Sequence, residues 1–282
     1  MALVVNTNVT SNIVQGNLSS ANSAVNKSIE RLSTGYKINR ASDDAAGLAI
    51  AKGFEAQSNG TLVAKDNTQH GVNLLQTAEG DLDVIQDNLQ RIRDLTVQAA
   101  NGTYSTAEKA MLAQEVNARI EEINRIATVS KFSDIALLNG TTTSQLILQV
   151  GANSGAFNQL DISDALIKST ATALNANLTS DYVNTAFQTS NGANAFIDVI
   201  DDAINKVSTS RSKIGAYQNR LESTLSSLDV RYQNMASSLS TIQDTDVASE
   251  AAALTQAQIL QNVSASLLAQ ANNNPSIALN LL

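Results

Sequence analysis

The stretch from Ala193 to Ile242 reads ANAFIDVIDDAINKVSTSRSKIGAYQNRLESTLSSLDVRYQNMASSLSTI. Every seventh residue from Ile200 is apolar: Ile200, Val207, Ile214, Leu221, Leu228, Met235 and Ile242. A second row, Ile204, Arg211, Gln218, Leu225, Tyr232 and Leu239, is interrupted by polar residues, and Gly215 is the one helix breaker in the run. Apolar residues repeating about every 3.5 positions form a stripe that winds slowly around an α-helix, so the helix must bury it against other helices in a left-handed supercoil. At 1.5 Å per residue the segment would be roughly 75 Å long. A helix of that length needs partners of similar length.

The first half of the chain offers them. A second heptad runs through Leu75, Ala78, Leu82, Ile85, Leu89, Ile92 and Ala99, with Thr96 as its polar interruption, until Asn101-Gly102 signals a turn. Ser105-Thr106-Ala107-Glu108 is a capping box, in which Ser and Glu each satisfy a free backbone N–H of the other. It opens a third helix with Leu112, Val116, Ile120, Ile123 and Ala127 on one face. Upstream, Ser42-Asp43-Asp44 supplies N-caps for a new helix after the Gly35 break. The expected fold class is mainly α: an elongated antiparallel coiled-coil bundle with a small β-hairpin region. The hairpin, at about 144–163, is read from the alternation of Leu146, Leu148 and Val150 with Ile147 and Gln149, the glycine-bounded loop Gly151–Gly155, and the second alternating run Phe157–Ile162. Residues 163–192, rich in Ser, Thr, Asn and Ala, show weak periodicity.

Composition narrows the function. The 282 residues are 43% hydrophobic and 4% aromatic, without Trp, a stock of Ala, Leu, Ile and Val suited to slender helix seams. A net charge of −8 argues against nucleic-acid binding, which calls for clustered Lys and Arg. There is no Cys for disulfides or thiolate metal sites, no basic-then-apolar leader of the Sec type, and no apolar run long enough to span a membrane. The distribution of charge says more than its sum. Residues 1–26 and 251–282 contain no Asp, Glu, Lys, Arg or His, yet each end keeps a helical stripe: Leu18, Val25 and Leu32 at one, Leu260, Val263 and Leu267 at the other. Such thin stripes bury too little to offset an ordering cost of about 1–2 kcal/mol per residue, so the ends are expected to fold on assembly.

Catalysis finds little to work with. His70 is the single histidine and reads as a solvated side chain beside Gly71. Asp43-Asp44, Glu121-Glu122 and Asp201-Asp202 are adjacent acids that diverge by about 100° on a helix, as caps or a solvated face do. No metal-binding motif is present, and neither catalytic nor cofactor residues are expected.

Several stretches together resemble the bacterial flagellins. Glu30-Arg-Leu-Ser-Thr-Gly-Tyr-Lys-Ile-Asn39 and Ser42-Asp-Asp-Ala-Ala-Gly-Leu-Ala-Ile50 resemble the family's N-terminal signature, as do Gln76–Gly80, Leu89–Gly102 and Gln149–Asn153. Arg211–Glu222 and Leu268–Asn272 are similar to its C-terminal signature. The resemblance implies a secreted, extracellular subunit, exported unfolded by the flagellar type III apparatus with a secretion chaperone and polymerised with itself into a hollow helical filament for motility. Filament-cap and hook-junction proteins are its implied further partners. It implies an inner layer, D0, from residues 1–44 and 237–282, and a D1 rod from 45–236. The short segment 163–192 then stands where many relatives insert outer domains. The heptad row itself supplies the candidate assembly or core seam: Ile214, Leu221, Leu228, Met235 and Ile242. Arg91, Leu95 and Glu115 match positions at which some flagellins meet the flagellin-sensing Toll-like receptor, whereas Asp94 and Thr96 depart from the usual Glu and Ala. Lys52-Gly53-Phe54 and Phe132-Ser133-Asp134 likewise replace an Arg-rich stretch and a Phe-Asn-Gly. Two other readings compete: a flagellin-like hook–filament junction protein, and a signalling coiled coil, which calls for charged helix ends and a membrane segment.

Overall fold

A computed structural model describes residues 7–140 and 146–279, with side chains through Asn273. The chain divides into two units. One is drawn from its two ends, up to Ala56 and from Asn234 onward; the other is Gln57–Gln233.

The second unit is built on three helices: α2 (Ala45–Ala100) and α6 (Ser190–Gln243), each of which also runs into the first unit, and α3 (Thr106–Val129). The α2 heptad is its spine. Leu75, Ala78, Leu82, Ile85, Leu89, Ile92 and Ala99 are all fully buried, as is Thr96, whose hydroxyl donates to the Ile92 carbonyl at 2.7 Å. A buried hydroxyl bonded back to its own helix costs little, so one polar residue does not break the seam. Opposite it, Ile200, Val207, Ile214 and Leu221 of α6 are fully buried. Polar pairs then report direction. As the α6 position rises from Asp201 through Arg211 and Gln218 to Asp229, its α2 partner falls from Arg93 through Asp83 and Glu79 to Lys65. The two helices are antiparallel, and the interruptions at Arg211 and Gln218 are interhelical contacts, at 2.8 Å to Asp83 and 2.9 Å to Glu79.

The second buried row of α6 lies one residue earlier than the heptad suggests. Ala203 and Ser210 are fully buried, whereas Ile204 and Arg211 are half-buried. The cause is the segment after the hairpin. Ser210 Oγ donates to the Ala165 carbonyl at 2.6 Å, Lys206 Nζ donates to the Leu174 carbonyl, and Tyr217 OH donates to Asp164 at 2.6 Å. Within that segment α4 (Ala171–Leu174) and α5 (Ser180–Ala186) bury Leu174, Leu178, Val183 and Phe187. Phe187 meets Phe196 of α6 edge-on, with centroids 6.0 Å apart. Helices of four and seven residues are too short to show a period, which is why 163–192 looks featureless as sequence.

Two small antiparallel strand pairs complete this unit. β3 (Ile147–Gln149) pairs with β4 (Gln159–Asp161) in the register Leu148 to Leu160. Glycines let this hairpin lie close on α2: a Cβ on Gly71 would strike the Leu148 side chain, and one on Gly60 would sit 3.0 Å from Ala152 Cβ. The other pair, β1 (Lys131–Phe132) and β2 (Ile135–Ala136), turns on Ser133 and Asp134, with φ of 45° and 66°. Both are left-handed, as a two-residue primed turn demands, but neither is the Asn or Gly that announces one.

The first unit packs α1 (Val9–Thr34) antiparallel to α7 (Val247–Leu279). Asn8 Nδ2 donates to the Ala271 carbonyl at 2.7 Å, Gln261 Nε2 to Asn22 at 2.6 Å, and Arg31 pairs with Glu250 at 3.4 Å. Gly35, at φ 76°, ends α1, and its N–H donates to the Arg31 carbonyl. Asp44 then accepts the Gly47 amide at 2.9 Å to start α2.

Candidate functional site

In a chain whose surfaces rather than pockets are expected to act, the relevant question is which apolar and charged faces stay uncovered. On α7 the row facing α1 is small or polar: Ala257, Ser264 and Ala271 are buried, each seven residues after the last. Small side chains allow close helix approach. The larger residues of the C-terminal stripe flank that row and stay uncovered: Leu260, Val263 and Leu267 are 51%, 47% and 52% exposed. Ile259 on α7 and Val9, Ile13 and Ile29 on α1 are likewise uncovered. At the N-terminal end, Val25 is buried and Leu18 and Leu32 are half-buried. Leu260, Val263 and Leu267 join Asn17, Ser20 and Ala24 in lining a groove of about 610 Å³. An exposed apolar face on a segment without charge has no repulsion to keep copies of itself apart.

Of the seam residues, Ile214 and Leu221 are fully buried, Leu228 is 5% exposed, and Met235 and Ile242 are half-buried. Ile214, Leu221 and Leu228 are therefore buried within the unit Gln57–Gln233, on the core side of the seam.

The three positions expected to meet a receptor separate. Arg91 on α2 and Glu115 on α3 form an exposed ion pair at 2.9 Å. Leu95 is 1% exposed and belongs to the core. Four residues after Arg91 and three after Ile92, it falls on the edge of the buried α2 stripe that faces the bundle. The surface at this edge thus reduces to Arg91, Glu115 and their polar neighbours.

One acid of each adjacent pair is held by a cation. Asp43 bonds Lys27 at 2.8 Å and accepts the Arg40 and Asn39 amides, and these bonds hold its carboxyl below the usual carboxylate range. Glu122 forks onto Arg125, which lowers its pKa in the same way, and Asp201 pairs with Arg93 at 2.7 Å. Glu108 is held down by the Ser105 backbone and side-chain bonds of the capping box, which forms as the spacing predicts. His70 is exposed. Among the described residues no three His, Cys, Asp or Glu side chains converge on a metal position, and no helix is long and apolar enough to cross a membrane.

Comparison with known proteins identifies the family. Residues 5–143 match the model of the bacterial flagellin N-terminal helical region, and residues 197–282 that of the bacterial flagellin C-terminal helical region. A flagellin of Halalkalibacterium halodurans is 42% identical over 256 residues, 91% of each chain. The flagellar filament core protein flaB2 of Brachyspira hyodysenteriae is 36% identical over 289 residues, 99% of this chain and 100% of that one. Among solved structures, a protein described as flagellar hook-associated, from Vibrio parahaemolyticus, covers 72% of this chain and 100% of its own with a TM-score of 0.60. At 15% identity that likeness concerns fold alone.

Proposed function

This chain belongs to the bacterial flagellin family and is a structural subunit of a flagellar filament, and from that premise we propose how its surfaces are used. Polymerisation proceeds through the ends: α1 and α7 form the D0-like layer, and the unit Gln57–Gln233 corresponds to D1. The observation that carries this reading is the row of uncovered apolar side chains, Ile259, Leu260, Val263 and Leu267, on a helix whose last charged residue is Glu250. Burying four such side chains against copies of the chain would contribute about 1.5–3 kcal/mol for each one taken fully out of water. An uncharged, small-residue pairing between α1 and α7 is weak enough to open during export and strong enough to hold once neighbours cover it.

Export in an unfolded state through the flagellar apparatus, escort by a secretion chaperone, and contact with filament-cap and hook-junction proteins follow from the same reading. The Arg91–Glu115 edge is the proposed contact for the flagellin-sensing receptor, with Leu95 beneath it as support. A structural role accounts for the acids without a reaction. The experiment is truncation: a chain lacking residues 1–44 should keep the helical signal and melting of Gln57–Gln233 and lose the ability to sediment as polymer. Polymer formation by the truncated chain would refute the assignment.

A further inference from the structure

Four Asn-Gly pairs occur in this chain, at 59–60, 101–102, 139–140 and 191–192, and the fold places them in four different environments. We propose that Asn101 is a site of spontaneous, fold-directed modification, at which its side-chain amide is lost and replaced by aspartyl and isoaspartyl linkages.

The α2–α3 turn supplies each part the reaction needs. Asn101 and Gly102 are exposed, and nothing lies within 4 Å of where a Gly102 Cβ would stand, so the following amide is unobstructed. The turn bonds use the N–H groups of Asn101, Thr103 and Tyr104, and that of Gly102 has no acceptor among the described residues. Thr103 N–H donates to Asn101 Oδ1 at 3.2 Å. That bond folds the side-chain amide back over the next peptide and sits where negative charge develops on Oδ1 during attack, the geometry by which a positioned donor stabilises an oxyanion.

The steps balance. Base removes the Gly102 N–H proton, and the nitrogen attacks Asn101 Cγ to form a new C–N bond. The Cγ–Nδ2 bond breaks, and ammonia leaves carrying the proton, closing a five-membered succinimide. Water then opens the ring at Cγ to give aspartate, or at the backbone carbonyl to give isoaspartate, in which the chain runs through Cγ. Either product adds one negative charge beside the start of α3. The isoaspartyl form also lengthens the backbone by one carbon across the turn closed by Tyr104 N–H on the Asn101 carbonyl.

The other three pairs are restrained. Gly60 lies inside α2, where its N–H is committed to the helix ladder. Gly192 N–H donates to Thr189 Oγ1 at 3.1 Å in the cap of α6. Asn139 is half-buried and engaged by neighbours, and the Lys168 side chain packs against Gly140.

The test incubates the full chain in mildly alkaline buffer, folded and in denaturant, and maps peptides by mass spectrometry with enzymatic isoaspartate labelling. In the folded protein, Asn101 should gain one mass unit several times faster than Asn59 or Asn191, and the preference should collapse toward parity in denaturant. Gly102→Ala, which the open space around Gly102 accommodates, should slow conversion at Asn101 and leave the other sites unchanged. Equal rates at Asn59 and Asn101 in the folded chain would overturn the proposal, as would an unslowed Gly102→Ala variant.

Discussion

Leu221→Ala tests the seam that organises the larger unit. Leu221 is fully buried on α6, one heptad after Ile214 and one before Leu228. Truncation removes three carbons, about 2.4 kcal/mol of transfer free energy at roughly 0.8 per methylene. Because helices held along their whole length cannot collapse inward, a residual cavity raises the cost to about 3–4 kcal/mol. Divided by a urea slope of about 2 kcal/mol/M, that moves the unfolding midpoint down by about 1.5–2 M with the slope unchanged. Val230 on the same helix provides the contrast. It is 57% exposed, so Val230→Ala gives up little burial and gains about 0.5 kcal/mol of helix propensity. The two substitutions should therefore move the midpoint in opposite directions. Urea titrations followed by far-ultraviolet circular dichroism read both. Equal losses at Leu221 and Val230 would show that the burial pattern of α6 is misassigned.

Further tests address the turns, caps and edges. Asp134→Gly should raise stability by about 1 kcal/mol in thermal melts, because Asp134 carries φ of 66° where glycine bears no side-chain penalty. Gly71→Val should destabilise the packing of the β3–β4 hairpin, since its side chain would enter space held by Leu148, and hydrogen exchange at Leu148 and Leu160 should speed up. Ser105→Ala should cost about 1 kcal/mol through loss of the α3 cap. Glu108 in that cap has its pKa lowered, so its contribution is fully present above the ordinary glutamate value and disappears as pH falls through the folded value; the stability gap between wild type and Glu108→Gln should therefore close in acid. Arg91→Ala breaks an exposed ion pair and should change monomer stability by less than about 1 kcal/mol while lowering receptor signalling by purified monomer; an unchanged dose response would leave Arg91 as a surface tie between α2 and α3.

How much of this was legible in the sequence depended on element length. The seven-residue repeats of α2 and α6 pointed to their pairing, and the structure adds that Arg211 and Gln218 interrupt one row because they reach Asp83 and Glu79. The capping box at Ser105 and the alternation around Leu148 were equally readable, since each is a local pattern with a local cause. The β1–β2 turn was not, because Ser133-Asp134 adopts left-handed backbone without the Asn-Gly or Asp-Gly pair that announces such a turn. Nor was the orientation of α7. Its residues are uncharged almost throughout, so hydropathy could not tell the row toward α1, marked by Ala257, Ser264 and Ala271, from the flanking row of Leu260, Val263 and Leu267. The burial of Leu95 was hidden for a related reason: its neighbour Asp94 is exposed, and one step around a helix of about 3.6 residues per turn separates surface from core.

The central claim, that this chain is a filament subunit assembled through its uncharged ends, is tested most directly by electron microscopy of the purified full-length protein after salting out. Long hollow tubes of uniform diameter and helical repeat are predicted. Monodisperse monomer or shapeless aggregate under the same conditions would contradict it.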